Sequence, residues 1–236
     1  MERLVEEEWL DQEHCTLSEV KLALRSIRSV NRRFGGDRLH ARLLARALTR
    51  VDGAQRPHIL EVASGEAEVL RTALLKLEIS ADVTLLDRLA EHLPEAEAWL
   101  PPLAAPRLVP GDALNLPFPD TSVDIVSCCL FLHHLEPPQV MRFLAEAQRV
   151  ARVAIIINDL ERIAIHYRLA QLKSLSDPSR ISRHDGPVSV RRAYTFRELE
   201  RMLANTGRSF VLERAWLCRL GAVLWCGDAS VESASL

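Results

Sequence analysis

The chain has 236 residues, of which 48% are hydrophobic and 26% charged, a composition typical of a globular protein with a substantial core. Its formal net charge of -2, from 30 basic and 32 acidic residues, disfavours nucleic acid as the main partner. No apolar run is long enough to span a membrane, so the composition favours a cytoplasmic protein.

The first fifty residues precede the first predicted strand and have helical patterns. A capping box that begins at Thr16 predicts a helix running to Arg33. Two glycines at positions 35 and 36 would end that helix, and Leu39–Leu48 resumes a helical pattern. We therefore predict a helical cap over residues 1–50 and assign residues 51–236 to a second domain.

Strands and helices alternate from residue 58 onward. The strands are short β-branched apolar runs, typical of a parallel sheet that is covered on both faces. Strands are predicted at His58–Ala63, Asp82–Asp87, Arg107–Gly111, Val123–Cys129 and Val153–Asp159, with helices at Glu66–Leu77, Leu89–Leu100 and Pro138–Val150 between them. This alternation predicts an α/β fold of βαβ units, a Rossmann-like sheet with helices on both faces.

The chain after the fifth strand is predicted to add a lid and a closing strand pair. Leu160–Leu175 fits a helix, whereas Ser176–Ala193 is polar and contains Gly186 and Pro187, which predicts an irregular loop. Because long loops inside a compact domain are often functional, we assign residues from about 160 to 194 to a lid. The remaining elements are a helix over Thr195–Asn205 and strands over Phe210–Trp216 and Leu220–Cys226.

Acidic and small residues follow the predicted strands at one edge of the sheet. Glu61 and Gly65 flank the turn after the first strand, and Asp87 ends the second strand. A carboxylate at that position can accept hydrogen bonds from both hydroxyl groups of a ribose. Asp112 follows the third strand, where it can reach an exocyclic amine. Together these residues describe a pocket for adenosine.

These segments resemble the class I S-adenosylmethionine-dependent methyltransferases. The resemblance runs from about His58 to Cys226, and the block Gly111–Leu135 is similar to the small-molecule branch that methylates quinones, phenols and polyketides. It implies a seven-stranded, mostly parallel sheet whose last strand is antiparallel. It also implies S-adenosyl-L-methionine as the cofactor and a small hydrophobic acceptor, with O-methylation favoured over C-methylation.

The resemblance further implies roles for individual residues. The methionine portion of the cofactor would lie against the first turn, the ribose against the end of the second strand, and the adenine against the end of the third. The implied cofactor-binding residues are Glu61, Ala63, Ser64, Gly65, Asp87, Arg88, Asp112, Ala113 and Leu130, the last of which would lie near the methyl donor.

The glycine-rich turn departs from the pattern of that family. Where the family has acidic-x-Gly-x-Gly-x-Gly, this chain has Glu61-Val-Ala63-Ser-Gly65-Glu66-Ala67 and keeps the middle glycine alone. Glu66 could repel the cofactor's carboxylate or favour its positively charged groups. The departure motivates an alternative, a catalytically inactive methyltransferase-like binding or scaffold protein. A nicotinamide dehydrogenase is a weaker alternative because G-x-G-x-x-G is absent after the first strand.

Polar residues after the fourth and fifth strands are candidates for the acceptor side. His133 and His134 are catalytic candidates as general bases, or they could bond the backbone and cap the next helix. A metal site of these histidines with Glu136 lacks a supporting acidic cluster, so no metal is predicted. The predicted substrate contacts are His134, Asn158, His184, Arg192 and Tyr194, with capping or solvated loop roles as alternatives. The expected partner is a small-molecule acceptor, and we allow for a homodimer.

Overall fold

The computed structural model describes residues 1–11, 15–53, 56–88 and 105–227. The strands in these ranges are β1 (His58–Val62), β2 (Asp82–Asp87), β3 (Arg107–Pro110), β4 (Val123–Cys129), β5 (Ala151–Leu160), β6 (Phe210–Ala215) and β7 (Arg219–Trp225). The helices are α1 (Leu17–Arg33), α2 (Gly36–Leu48), α3 (Glu68–Leu77), α4 (Pro137–Val150), α5 (Ala164–Ser174), α6 (Arg180–Arg192) and α7 (Phe196–Ala204). The predicted helix at Leu89–Leu100 lies outside the described residues.

The described strands form one seven-stranded sheet in the order β3-β2-β1-β4-β5-β7-β6. Strands β1 to β5 run parallel to one another, and β7 is antiparallel to both β5 and β6. This arrangement confirms the predicted Rossmann-like, mostly parallel sheet with an antiparallel last strand. The order reverses between β1 and β4, so a crevice is expected at the carboxyl end of β1.

Apolar side chains are buried on both faces of the sheet. Leu60 of β1 belongs to a core on one face that also contains Phe143 of α4. Its neighbour Ile59 points to the other face and joins a core that contains Leu70 of α3. Because helices cover both faces, the strands are continuous apolar runs rather than alternating ones. Of the helices in the described ranges, none is long and apolar enough to cross a membrane.

Helix α2 lies directly on the sheet, against β5 and β7. Gly221 of β7 allows this close approach, since a Cβ atom there would lie 2.7 Å from the Cδ1 atom of Leu39. A real Cβ atom does not come that near, so a larger residue at this position would push α2 away. The second N-terminal helix is thus part of the covering layer of the sheet.

The prediction of an irregular loop over Ser176–Ala193 is wrong, because most of this segment is helix α6. Ser179 caps the helix, its Oγ atom accepting a hydrogen bond from a backbone N–H of the first turn at 3.1 Å. Pro187 lies inside the helix and removes one backbone donor. Ile181 and Val188 are buried nevertheless. The burial of this apolar face outweighs the local cost of the proline.

Candidate functional site

A cavity of about 1220 Å³ opens at the carboxyl ends of β1, β2 and β4. The turn after β1 and the loops after β2, β3 and β4 form one wall. Most of the remainder is formed by α1, α5, α6 and residues of the N-terminal segment, and Leu217 and Arg219 also line the cavity. This is the crevice in which open α/β sheets bind their ligands. Its volume exceeds the roughly 300–1000 Å³ of common single-ligand pockets, so it can hold two small molecules together.

The turn after β1 keeps a left-handed backbone at three alternate positions. Ala63, Gly65 and Ala67 have φ angles of 51°, 47° and 50°. These are the positions at which the resembled family has glycine, and a left-handed backbone costs an alanine about 1–2 kcal/mol. The two alanines therefore adopt a left-handed backbone at a cost in stability.

Asp87 joins the ends of β1 and β2 at the cavity wall. The backbone N–H of Gly65 donates a hydrogen bond to the Oδ2 atom of Asp87 at 2.8 Å. The side chain lines the cavity and the residue is 8% exposed. A carboxylate that is positioned by a backbone donor in this way is ready to accept further hydrogen bonds from a ligand.

Two buried polar atoms, one at the end of β1 and one in the turn after it, have no hydrogen-bond partner within the described ranges. They are the Oε2 atom of Glu61 and the Oγ atom of Ser64, and both residues line the cavity. Burial raises the pKa of Glu61 to about 7, although a hydrogen bond with Ser127 acts in the opposite direction. Unpaired buried polar atoms cost about 1–3 kcal/mol each. An ammonium group beside Glu61 and a polar ligand atom beside Ser64 would remove this cost.

Glu66 is bound by helix α1. Its carboxylate forms an ion pair with the guanidinium group of Arg28, and only 10% of the Glu66 side chain is exposed. Glu68 also pairs with Arg28, at 3.4 Å, and with Arg32, at 3.3 Å. The negative charge of Glu66 is thus matched by α1, which reduces any repulsion of an anionic group at the turn.

The other cofactor candidates lie along the same wall. Arg88 is exposed beside Asp87, Asp112 and Ala113 follow β3, and Leu130 follows β4 with a φ angle of 57°. The Oδ1 atom of Asp112 accepts a hydrogen bond from a backbone N–H two residues later, at 2.9 Å. The nine residues implied by the resemblance all line this one cavity. They are Glu61, Ala63, Ser64, Gly65, Asp87, Arg88, Asp112, Ala113 and Leu130.

The two catalytic candidates, His133 and His134, also line the cavity, each beside carboxylates. The Nδ1 atom of His133 lies 2.6 Å from Oδ1 of Asp159, and its Nε2 atom lies 3.5 Å from Oε1 of Glu8. The Nδ1 atom of His134 lies 2.7 Å from Oδ2 of Asp11. Burial alone lowers the pKa of His134, but the carboxylates of Glu8 and Asp11 outweigh it and raise the pKa to about 9.

The N-terminal segment, residues 1–11, supplies two of these carboxylates. Asp185 of α6 accepts hydrogen bonds from the backbone N–H groups of residues 9 and 10, at 2.9 and 3.0 Å. Arg192 donates to the backbone carbonyl oxygens of residues 133 and 134, and also to that of residue 6. Sequence reasoning missed Glu8 and Asp11 because no spacing relates this acidic segment to the distant histidines.

The predicted substrate contacts divide into two groups. His134 and Arg192 line the cavity. Asn158 is fully buried and donates to a backbone carbonyl oxygen of α2 at 2.9 Å, and the hydroxyl group of Tyr194 donates to one in the loop after β4 at 2.6 Å. His184 stacks on the indole ring of the N-terminal segment, with 3.9 Å between ring centroids. These last three residues are outside the described lining of the cavity.

Comparison with known protein families gives one domain match. Residues 60–154, from β1 to β5, match a family model described as a methyltransferase domain. No curated protein has a sequence that matches this chain. The matched stretch contains the turn after β1 and the loops after β2, β3 and β4, which form one wall of the cavity.

Solved methyltransferase structures have the same fold. The plantazolicin methyltransferase BpumL, in complex with a pentazolic desmethylPZN analog and SAH, superposes with a TM-score of 0.64 at 17% identity, covering 88% of this chain and 96% of BpumL. A SAM-dependent methyltransferase from Aquifex aeolicus has a TM-score of 0.61 at 17% identity, with coverage of 90% and 100%. An O-methyltransferase family 2 protein from Planctomyces limnophilus DSM 3776, in complex with apigenin, has a TM-score of 0.64 at 17% identity, with coverage of 91% and 63%.

Proposed function

We propose that this chain, whose residues 60–154 match a methyltransferase domain, transfers a methyl group from S-adenosyl-L-methionine to a small acceptor. The observation that carries the proposal is the wall of the cavity after β1 and β2. There Glu61 and Ser64 each have a buried polar atom that no described residue bonds, and Asp87 is positioned by the turn. BpumL, whose structure contains SAH, has the same fold.

The residues of this wall fit the parts of the proposed cofactor. Glu61 would face the ammonium group, Ser64 and Gly65 the remainder of the methionine portion, and Asp87 the ribose. Asp112 and Ala113 would contact the adenine, with Arg88 and Leu130 beside the ribose and the methyl donor, respectively. When bound, the cofactor supplies a methyl group that its sulfonium has already activated.

The chain itself has to align the two reactants and exclude water. We propose that α1 and the N-terminal segment close the cavity from one side. The segment from about 160 to 194, which contains α5 and α6, would act as the lid. Arg28 would hold α1 against the turn through Glu66 and Glu68.

We further propose a small hydrophobic acceptor of phenolic, quinone or polyketide type, methylated on oxygen. Apolar side chains of α1 and α5, among them Ile27 and Leu169, line the cavity together with the two histidines. One of the solved structures with the same fold is an O-methyltransferase family 2 protein in complex with apigenin. His133 and His134 would lie beside the polar group of the acceptor, and Arg192 would keep them in place. We assign no substrate contact to Asn158, His184 or Tyr194.

The acceptor proposal is tested with a panel of phenols, quinones and polyketides incubated with S-adenosylmethionine. We expect one or more of them to give a methylated product together with an equal amount of S-adenosylhomocysteine, both measured by mass spectrometry. Amines and thiols of similar size are the matched controls. Turnover of the controls alone would contradict oxygen as the acceptor atom.

The affinity for S-adenosylmethionine should rise with pH. Because burial raises the pKa of Glu61 to about 7, its carboxyl group is mostly protonated at pH 6 and mostly ionised at pH 8. Only the ionised form attracts an ammonium group, so the dissociation constant should fall about tenfold over this interval. Calorimetric titrations at both pH values measure it. Glu61→Gln should bind more weakly at pH 8 and lose the pH dependence; an identical profile in both proteins would place the ammonium group elsewhere.

Restoring small residues at the turn should have little effect on cofactor binding. Since Arg28 pairs with Glu66, we expect Glu66→Ser with Ala67→Gly to change the affinity for S-adenosylmethionine by no more than about fivefold, or about 1 kcal/mol. Ala67→Gly alone is the control, because it removes the cost of the left-handed backbone at position 67 and keeps Glu66. Tight binding that appears in the double variant but not in the wild type would mean that Glu66 blocks the site, and would support the scaffold alternative.

A further inference from the structure

Glu8, His133 and His134 each offer a ligand atom, and these atoms all lie within 4.8 Å of one another. The Nε2 atom of His133 lies 3.5 Å from Oε1 of Glu8. In a tetrahedral zinc site with bonds of about 2.0–2.1 Å, two ligand atoms are roughly 3.3–3.4 Å apart. Two imidazoles and one carboxylate are also a common ligand set of catalytic zinc sites, in which a fourth position stays open. The cluster therefore has the composition of a metal centre, and the distance between His133 and Glu8 is close to that in a zinc site.

A carboxylate orients each of the two imidazole rings. Asp159 lies 2.6 Å from Nδ1 of His133, and Asp11 lies 2.7 Å from Nδ1 of His134. These contacts leave the Nε2 atom of each ring as the ligand. Histidines that bind metals almost always bond through the other ring nitrogen to a carboxylate, carbonyl or water, which fixes the tautomer and the ring orientation. Both histidines thus have the surroundings of metal ligands.

One carboxylate oxygen of Glu8 is buried without a hydrogen bond from any residue that the structure describes. The residue is 5% exposed, and within the described ranges its Oε1 atom accepts no hydrogen bond. Asp11 and Asp159 add two more carboxylates beside the histidines. The nearby guanidinium group of Arg192 donates to the backbone carbonyl oxygens of residues 133 and 134. A divalent cation at the two imidazoles would interact favourably with these carboxylates.

We propose that Glu8, His133 and His134 bind one divalent transition-metal ion, with zinc as the favoured ion. The remaining coordination position would be open to the cavity and would bind a hydroxyl or carboxylate oxygen of the acceptor. The ion would orient this oxygen and lower the pKa of a bound hydroxyl group. This role rests on the proposed methyl transfer, whereas binding of the ion does not. Glu136, the carboxylate nearest the histidines in sequence, pairs with Arg3 at 2.8 Å instead.

The site is tested on the full chain after treatment with a chelator. Calorimetric titration with zinc chloride should show one ion bound per chain, and cobalt(II) should give the visible absorption bands of a four- or five-coordinate centre. Glu8→Gln and His134→Gln should each weaken zinc binding about 100-fold or more, and Asp11→Asn about 10–100-fold. Glu7→Gln is the matched control, because Glu7 is a neighbouring carboxylate of the cavity lining outside the cluster.

Circular dichroism and thermal unfolding establish that each variant is folded before its zinc affinity is compared. Absence of zinc binding by the wild type would overturn the proposal, as would unchanged binding by both Glu8→Gln and His134→Gln. Equal weakening by Glu7→Gln would overturn it too, since it would indicate a general effect of negative charge. Titration with S-adenosylmethionine is a separate measurement, so that failure of the metal site and failure of the cofactor site are distinguished.

Discussion

Asp87→Ala is expected to weaken the binding of S-adenosylmethionine about 100-fold or more and to leave the chain folded. In the proposed complex the carboxylate accepts hydrogen bonds from both ribose hydroxyls. Their loss leaves two donors without partners, at about 1–3 kcal/mol each, and about 2.8 kcal/mol corresponds to 100-fold. The variant also loses the bond from the Gly65 N–H, which should lower the free energy of unfolding by about 1 kcal/mol.

Two further variants make this test specific. Asp87→Asn keeps the shape of the side chain and one acceptor oxygen, so its affinity should lie between those of the wild type and Asp87→Ala. Asp82→Ala changes an exposed carboxylate at the other end of the same strand and should bind like the wild type. Calorimetric titration measures all three. Wild-type affinity in a folded Asp87→Ala protein would remove Asp87 from the cofactor site.

Arg219→Met is expected to lower the free energy of unfolding by about 3 kcal/mol. Arg219 starts β7, is 1% exposed, and donates to the side-chain oxygens of Asn158 on β5, at 3.3 Å, and of Asn31 on α1. Without the guanidinium group, both buried amide oxygens lose their donor, at about 1–3 kcal/mol each. In a chain of this size each kcal/mol lowers the unfolding temperature by about 2–4 °C, so a decrease of about 6–12 °C is expected.

Urea denaturation of Arg219→Met compared with Arg197→Met measures this effect. Arg197 is exposed on α7, so its substitution should change the free energy of unfolding by no more than about 0.5 kcal/mol. Because Arg219 also joins α1 to the sheet, cofactor affinity should fall in the Arg219 variant alone. Equal stability of the two variants would show that the buried guanidinium group is not what holds α1 in place.

The position of Glu61, Asp87 and Asp112 at one wall of the cavity was predictable because parallel strands end at one edge of the sheet. Glu61, Asp87 and Asp112 each lie at or after a strand with a clear apolar pattern, and their proximity follows from the alternation of strands and helices. The left-handed backbone of Ala63 and Ala67 was not predictable from the residue types, since alanine seldom adopts it.

The contacts of the residues after β4 and at the end of β5 were harder to predict, because they depend on which face of the sheet each side chain occupies. Neighbouring residues of a strand point to opposite faces, so Asp159 reaches His133 whereas Asn158 bonds to α2 on the other face. Asn158 was the predicted substrate contact, whereas Asp159 is the residue that reaches the histidine. Glu8 reaches the histidines only because the N-terminal segment packs on α6, a long-range contact that no local pattern reveals.

The central claim, that the cavity binds S-adenosyl-L-methionine, is tested most directly by calorimetric titration of the wild-type chain with S-adenosylmethionine, S-adenosylhomocysteine and NAD. We predict that the first two bind with one molecule per chain and that NAD produces no heat of binding. Binding of NAD, or no binding of either S-adenosyl compound by the folded protein at pH 8, would contradict the account.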